Sequence, residues 1–225
     1  MGANTLAPAA ESLADMLERL GGVSPDRIRM RPAPGTATVD DVVEIEVREN
    51  RLFELVDGVL VEKAMGFAES QLAIAIATAL VQFLEKNDLG VVTGPDGMIR
   101  FPANLVRMPD VAFVPWDEFS TDESLEEAVP AVVPGLAVEV LSKGNTEREM
   151  KRKLREYFLA GVAMVWIVDR KARAVNVYSA PNRSKSVPET GTLSGGSVLP
   201  GFELPVAKVF ARLDQLAKRR RNRKG

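Results

Sequence analysis

The sequence contains no cysteine and no histidine. Their absence excludes disulfides, thiol nucleophiles, Ser-His-Asp triads and the usual zinc sites. Any chemistry near neutral pH must therefore use carboxylates, lysines, the two tyrosines or a bound metal. Oxygen ligands would select a hard cation such as Mg²⁺ or Mn²⁺ rather than zinc or copper. The lack of cysteine also makes a cytoplasmic location the simplest expectation.

A signal peptide and a long hydrophobic run are missing as well. Residues 1–8 carry no basic side chain, and no apolar run follows them. The longest apolar stretch, residues 72–84, is interrupted by Thr78 and Gln82 and is too short to span a bilayer. We therefore expect a soluble protein that does not contact a membrane.

The length and composition suit one ordinary domain with arms. The 225 residues are 46% hydrophobic and 27% charged, which allows a substantial core and excludes global disorder. We expect an N-terminal helix over residues 9–20 and a Pro-containing arm or linker up to residue 40. The main domain should cover residues 41–210, and residues 211–225 should form the end of a terminal helix and a basic tail.

Two dipeptides favour tight hairpin turns. Asp57-Gly58 separates two strand-like segments, residues 51–56 and 59–63, and both turn residues tolerate positive φ. Asp96-Gly97 separates residues 90–93 from residues 98–101 in the same way. The sequence therefore predicts two hairpins.

The remaining elements predict a mixed α/β sheet flanked by helices. Residues 69–86 are apolar on nearly all sides, so we expect a central, packed helix. A capped helix is predicted over residues 146–160 and a terminal helix over residues 206–217. The acidic segment 117–127 is interpreted as a solvated loop or a short exposed helix. Short apolar runs predict strands at residues 111–114, 136–141, 164–168 and 175–178.

Two acidic residues lie at or in these apolar strands. Asp110 follows Pro109 at the start of a strand, where a carboxylate can point at a ligand, although a simple turn residue has the same pattern. Glu139 lies in a run that is otherwise apolar on both faces. A buried carboxylate needs a partner, a proton or a metal, unless the strand is at a sheet edge and Glu139 faces water.

The helix that follows Glu139 carries a basic cluster. Thr146 and Glu149 predict a capping box, and Gly161 predicts the end of the helix. Lys151 and Lys153 border the apolar face on opposite sides, so either ammonium could reach a site at the strand end. The alternative is a solvated helix face whose lysines pair with nearby glutamates.

Glu54 is a further acidic candidate, in the first strand of the first hairpin. It lies between Phe53 and Leu55, so alternation alone would place it on the solvent face. Glu69, at the start of the apolar helix, is interpreted as a helix N-terminal charge that the helix dipole favours.

These segments together resemble a known family. The chain is similar to the Uma-type restriction endonucleases, which belong to the PD-(D/E)XK nuclease superfamily. The similarity covers about residues 41–180 and keeps the order of the motifs. The segments that carry it are FELVDG (53–58), VRMPDV (106–111), VEVLS (138–142), KLREY (153–157) and GVAMVWIVD (161–169).

The resemblance implies a restriction-endonuclease-like core with a divalent metal at the strand ends. Asp110 matches the metal-binding aspartate of the family, and Glu139 matches its second acid. The carbonyl of Val140 is implied as a further metal ligand. Glu54 matches another acidic position of the family. The implied reaction is Mg²⁺- or Mn²⁺-dependent hydrolysis of phosphodiester bonds, with DNA as the substrate by family resemblance and a homodimer expected from the need to address two strands.

The sequence departs from the superfamily pattern at one position. Leu141 stands two residues after the acid, where a lysine is expected. In Uma-type sequences the lysine lies on the next helix, and Lys153 matches that place. Two alternatives to a nuclease therefore stay open. One is a catalytically silent module that binds nucleic acid or a partner, and the other is a structural ion pair between Glu139 and Lys151 or Lys153.

Overall fold

A computed structural model describes residues 12–63, 66–119 and 126–223. Within these ranges the chain forms five α-helices and thirteen β-strands. The helices are α1 (Leu13–Arg19), α2 (Val39–Glu49), α3 (Phe67–Leu84), α4 (Glu147–Ala160) and α5 (Val206–Asn222). The strands are β1 (Ile28–Arg29), β2 (Phe53–Val56), β3 (Val59–Glu62), β4 (Gly90–Thr93), β5 (Ile99–Phe101), β6 (Leu105–Arg107), β7 (Val111–Pro115), β8 (Leu136–Val140), β9 (Met164–Asp169), β10 (Ala174–Ala180), β11 (Arg183–Pro188), β12 (Thr192–Ser194) and β13 (Glu203–Pro205).

The larger sheet has six strands in the order β11-β10-β9-β8-β7-β4. Strands β8 and β9 are parallel and are connected through α4, whereas the other neighbours are antiparallel. Side chains of α3 and α5 cover one face of this sheet, and α4 covers the other. Because α4 begins just after the carboxyl end of β8, its first turns lie at that edge of the sheet.

The smaller sheet has five strands in the order β1-β3-β2-β6-β5. Val42 and Ile45 of α2 pack on one face beside Leu55. Met16 of α1 and Leu20, which directly follows that helix, pack on the other face. A third sheet contains the two short strands β12 and β13.

The first predicted hairpin is confirmed, and the second is wrong. Asp57 and Gly58 both have positive φ, and Val56 pairs with Val59 directly across the turn. The turn at Asp96-Gly97 has no residue with positive φ, and β4 and β5 on either side of it belong to different sheets. This turn therefore moves the chain between sheets.

A second hairpin does form, but at another place in the chain. Strands β5 and β6 pair through a turn in which Ala103 and Asn104 have φ of 63° and 55°. Alanine rarely adopts this left-handed conformation, so the sequence carried little signal for the turn.

Helix α3 is buried on one face, which corrects the expectation of a helix buried on nearly all sides. Leu72 and Ile76 are fully buried in the core of the larger sheet. Phe67, Ile74 and Val81 are exposed, because the sheet and α5 cover only part of the helix. Of the helices in the described ranges, α3 alone has the length and hydropathy of a membrane span.

The N-terminal segment packs against the domain, and a separate arm is not confirmed. Helix α1 begins at Leu13 after its N-cap Ser12, and residues 1–11 of the expected arm and helix lie outside the described ranges. Strand β1 extends the smaller sheet by pairing with β3. Arg27 forms an ion pair with Glu149 of α4 at 2.9 Å.

The predicted capping box of α4 is half formed. The Thr146 side chain accepts a hydrogen bond from the Glu149 amide. The Glu149 carboxylate bonds instead to Arg27 and Asn145. Gly161 ends the helix with φ of 104°, as predicted. Within the acidic segment 117–127, residues 120–125 lie outside the described ranges.

Candidate active site

Asp110 is held at the start of β7 by the neighbouring strand. Its amide donates to the Val138 carbonyl at 2.9 Å, and its Oδ2 accepts from the Val140 amide at 2.7 Å. The side chain is buried, and Oδ1 lies 2.9 Å from the Nζ of Lys63. The carboxylate is therefore fixed against the carboxyl end of β8.

Glu139 lies on β8 and points toward α4. Its Oε1 accepts a hydrogen bond from the Tyr157 hydroxyl at 2.5 Å. The Nζ of Lys153 lies 3.1 Å from Oε1 and 3.2 Å from Oε2. Glu139 is 5% exposed, so the alternative of an edge strand with Glu139 facing water is wrong.

The structure distinguishes between the two lysines that border the apolar face of α4. Lys153 is 4% exposed and also contacts Glu54 Oε1 at 3.0 Å. Lys151 is exposed and forms an ion pair with Glu147 at 2.6 Å on the same helix. Lys153 therefore joins the carboxylates of two different sheets, and Lys151 does not reach them.

Glu54 is almost completely buried, so its expected position on the solvent face is wrong. Helix α2 covers one face of β2, and Lys153 of α4 lies on the face to which Glu54 points. Arg107 of β6 donates to Glu54 Oε2 at 2.6 Å and, through its Nε, to Glu156 at 2.9 Å. Strand β2 is thus buried on both faces, and alternation could not place Glu54.

The charges of this cluster shift one another's pKa values. Burial opposes the ionisation of Glu54, but the charges of Lys153 and Arg107 outweigh it and lower the pKa of Glu54. Burial also opposes the charged form of Lys153, yet Glu139 and Glu54 raise its pKa. The Tyr157 pKa is raised by burial and by Glu139. Lys153 therefore carries a proton and Tyr157 stays neutral at physiological pH.

Lys63 is a site residue that the sequence reasoning missed. It follows β3 directly, and its Nζ contacts both Asp110 Oδ1 and the Met108 carbonyl. Its side chain is only 8% exposed. A lysine at the end of a hairpin strand is ordinarily solvated. The sequence therefore gave no signal that Lys63 belongs to the site.

The backbone of Val140 lies on the same side of β8 as Asp110. In a β-strand the amide and the carbonyl of one residue point to the same neighbouring strand. Because the Val140 amide donates to the Asp110 side chain, its carbonyl also points to the β7 side of β8.

The donor set of the cluster fits a hard divalent cation. Within the described ranges, no group of three or more Asp, Glu, His or Cys side chains is arranged to hold a metal ion. The two side chains that the sequence predicts as metal ligands, Asp110 and Glu139, would supply two carboxylates. The pKa of Glu139 is raised, mainly because burial disfavours its charged form. The charge of Lys153 lowers this pKa, and the negative charge of Asp110 raises it. A cation between the two carboxylates would relieve their repulsion, in competition with Lys63.

Comparison with known proteins identifies a family and a fold neighbour. Residues 39–207 match the model of the Uma2 family, described as "Putative restriction endonuclease". The chain is also similar to a crystal structure from Anabaena variabilis ATCC 29413, described as a "putative nuclease belonging to DUF820". The two share 14% identity with a TM-score of 0.67, over 77% of this chain and 97% of the other. No curated protein matches this chain with significant similarity. The predicted fold class, a restriction-endonuclease-like α/β core, is confirmed.

Proposed function

Because the chain belongs to the Uma2 family of restriction endonuclease-like proteins, we propose that it is a Mg²⁺- or Mn²⁺-dependent endonuclease that hydrolyses DNA. The family supports nuclease function, whereas the metal and the choice of DNA are parts of the proposal. One observation supports it most. Asp110, Glu139, Lys153 and Glu54, which are far apart in the sequence, form one buried cluster at the carboxyl end of β8.

Asp110 and Glu139 would hold the cation, with the Val140 carbonyl as a third oxygen ligand. When bound, such a cation polarises a phosphate and lowers the pKa of an attacking water. Asp110 is suited to this role because the Val140 amide fixes one oxygen and leaves the other directed at Lys63. Hydrogen bonds from the Tyr157 hydroxyl and the Lys153 ammonium likewise fix the orientation of the Glu139 carboxylate.

Lys153 would neutralise the charge that develops on the phosphoryl oxygens. An ammonium has three N–H donors, and here they face Glu54 Oε1 and both carboxylate oxygens of Glu139. A phosphate oxygen would therefore replace one of the two contacts to Glu139. Because the ammonium is already held between two carboxylates, little reorganisation is needed during the reaction. Glu54 serves as the positioning residue for Lys153.

A cleavage assay with matched controls tests the proposal. Purified protein is incubated with plasmid DNA and with RNA, with Mg²⁺, Mn²⁺ or a chelator. We expect metal-dependent cleavage of DNA that Asp110→Asn and Glu139→Gln each abolish. Asp96→Asn and Glu44→Gln change exposed carboxylates outside the cluster and should keep full activity. Cleavage that survives both cluster substitutions, or that is unaffected by the chelator, would contradict the assignment.

A homodimer and a cytoplasmic location belong to the same proposal. Two active sites would allow one assembly to address both strands of a duplex. The molar mass in solution, measured by light scattering with and without DNA, tests this. A monomer under both conditions would contradict the dimer and leave the cleavage assay as the test of the chemistry.

One observation favours the catalytically silent module as a second candidate. Each acidic residue of the cluster already has a cationic partner within the described residues, with Lys63 on Asp110 and Lys153 on Glu139 and Glu54. Leu141 also stands where the superfamily has a lysine. Retained DNA binding without cleavage under any metal condition would support this candidate.

A further inference from the structure

A pocket of about 390 Å³ opens beside the cluster, and the proposed chemistry does not use it. It lies at the carboxyl ends of the parallel strands β8 and β9, on the face that α4 covers. Leu141 and Ser142, which follow β8 directly, belong to its lining. Ligands of open α/β sheets bind at this edge of the strands. The volume falls within the range of about 300–1,000 Å³ found for small-ligand pockets.

The inside of the pocket combines apolar walls with two unpaired polar groups. Met150 and Leu154 of α4 and Ile167 of β9 form the walls. Asn176 and Tyr178 project from β10 on the same face of the sheet. Neither side chain makes a hydrogen bond to another residue in the described part of the chain. Both can therefore bond to a ligand that has polar edges and flat apolar faces.

Four basic and three acidic residues line the pocket, so its charged lining has a small positive excess. Lys143 and Lys171 line it and have no ion-pair partner among the described residues. Lys151 and Arg170 also line the rim, but they form ion pairs with Glu147 and Glu69. The two unpaired lysines can therefore bind phosphate groups without breaking an existing contact.

We propose that this pocket binds one unpaired nucleotide of the substrate strand. The base would enter between Met150, Leu154 and Ile167, with its edge on Asn176 and Tyr178. The phosphates on either side would lie at Lys143 and Lys171. A base can enter such a pocket only when it is unstacked from its neighbours, so the site selects single-stranded or locally opened nucleic acid. This inference rests on the proposed function, because the strand is the one hydrolysed at the adjacent cluster.

Photochemical cross-linking tests the occupancy of the pocket. A single-stranded oligonucleotide with one 5-iodouracil is irradiated with the wild-type protein in a chelator and, in parallel, in Ca²⁺. The cross-linked peptide is identified by mass spectrometry. We expect the label on β10 or α4, at Tyr178 or its pocket neighbours. Fully paired duplex of the same sequence should label the pocket much less.

Binding measurements on variants test the same site independently. Asn176→Leu keeps a similar volume but removes the amide, and we expect it to weaken binding of the single strand about tenfold. The double variant Lys143→Gln, Lys171→Gln removes two exposed charges with little risk to folding. It should reduce the salt slope of binding by up to about 1.4, from roughly 0.7 for each single-strand phosphate. Lys185→Gln, exposed on β11 and opposite Val177 on the other face of the sheet, is the matched control.

The outcomes separate this inference from the proposed function. A protein that labels through the pocket but cleaves nothing would refute the proposed function alone. A protein that cleaves DNA but is labelled elsewhere, or whose binding is unchanged in both variants, would overturn the pocket assignment. Labelling by free 5-iodo-dUMP and not by the oligonucleotide would overturn the assignment to a substrate strand. Absence of labelling in both the chelator and Ca²⁺ would overturn it as well.

Discussion

At the scale of single residues, Lys153 and Lys151 are a matched pair. Both lie on α4 near its apolar face, but Lys153 is buried between Glu54 and Glu139 whereas Lys151 is exposed beside Glu147. If Lys153 acts on the phosphoryl charge, Lys153→Met should lower turnover about a hundredfold or more with little effect on DNA binding. Lys151→Met should leave the chemical step unchanged.

Single-turnover cleavage with saturating enzyme measures this difference, because binding then no longer limits the rate. The free energy of unfolding must be measured for both variants, since Lys153→Met also leaves two buried carboxylates with one cation fewer. Equal single-turnover rates for the two folded variants would remove Lys153 from the catalytic residues.

Lys63 gives a separate prediction about the metal. Its ammonium lies 2.9 Å from Asp110 Oδ1, an oxygen that a cation would also need. Removal of a nearby positive charge favours cation binding, so we expect Lys63→Met to bind Mn²⁺ about tenfold more tightly. Calorimetric titration of Mn²⁺ checks this without any nucleic acid. Lys86→Met, at an exposed position after α3, is the control. An affinity equal to that of the wild type would show that Lys63 does not compete for the site.

The sequence identified most of the cluster but not how it is held together. Glu139 was recognisable because a carboxylate is rare in an otherwise apolar strand, whereas Asp110 was recognised by its match to the family motif. Lys153 could not be separated from Lys151 by helical periodicity, because both border the apolar face. Lys63 was missed because its role depends on the packing of the hairpin against β7, which is a tertiary contact. The roles of all four residues stay predictions until the variants are measured.

At the scale of secondary-structure elements, Glu54 connects β2, β6 and α4 through buried charges. Its carboxylate contacts Arg107 at 2.6 Å and Lys153 at 3.0 Å. Glu54→Gln leaves both cations partly uncompensated, so we expect a loss of about 3–5 kcal/mol in the free energy of unfolding at pH 7. Urea denaturation measures this loss. Glu44→Gln, at an exposed position on α2, should change the stability little.

The same residue predicts an acid dependence of stability. The folded pKa of Glu54 lies below its ordinary value of 4.5, because Lys153 and Arg107 outweigh the effect of burial. Its stabilisation is therefore complete above pH 4.5 and is lost as the pH falls below that value. The pKa of Glu139 is raised, so Glu139 makes the pH dependence of stability change in the opposite direction. Because Glu139 is present in both wild type and Glu54→Gln, the comparison of the two proteins isolates the effect of Glu54. The stability difference between wild type and Glu54→Gln should thus shrink as the pH falls below 4.5, and a constant difference would contradict this account.

The two Asp-Gly dipeptides show how far local signals determine the elements. Both favour a tight turn, but only Asp57-Gly58 has the positive φ values that a two-residue hairpin requires. At Asp96-Gly97 the preceding strand pairs with β7 instead. Hydrophobic pairing with a strand further along the chain therefore decided the topology there. The longer helices and the apolar strands were predictable from periodicity, but helix α2 and strands β1, β6, β11, β12 and β13 were not predicted. Strand partners were not predictable either.

At the scale of the whole molecule, the N-terminal segment is part of the domain because it covers a face of the smaller sheet. Met16, Leu20 and Val23 are buried against Val56 and Val61. The prolines in the connector indicated an extended chain, which is compatible with β1 and the loops around it. Without the N-terminal segment this face of the smaller sheet would be exposed. The sequence could not show this, because the face is created by the arrangement of β2 and β3.

The basic C-terminus gives the last prediction. Helix α5 continues to Asn222, five residues beyond its expected end at Ala217, and its last residues are exposed. Residues 218–225 carry six basic and no acidic side chains, so the other 217 residues have 23 basic against 31 acidic residues and a formal charge of −8. The rest of the chain therefore repels phosphate on average, and the basic tail would offset this repulsion by contacts that do not depend on the DNA sequence.

If all six charges contact duplex phosphates, truncation after Ala217 should reduce the salt slope of DNA binding by up to about 5. A full-length variant with the six basic residues changed to Gln should show the same reduction, because charge and not length is responsible. An unchanged slope in both proteins would show that the tail is a solubilising end.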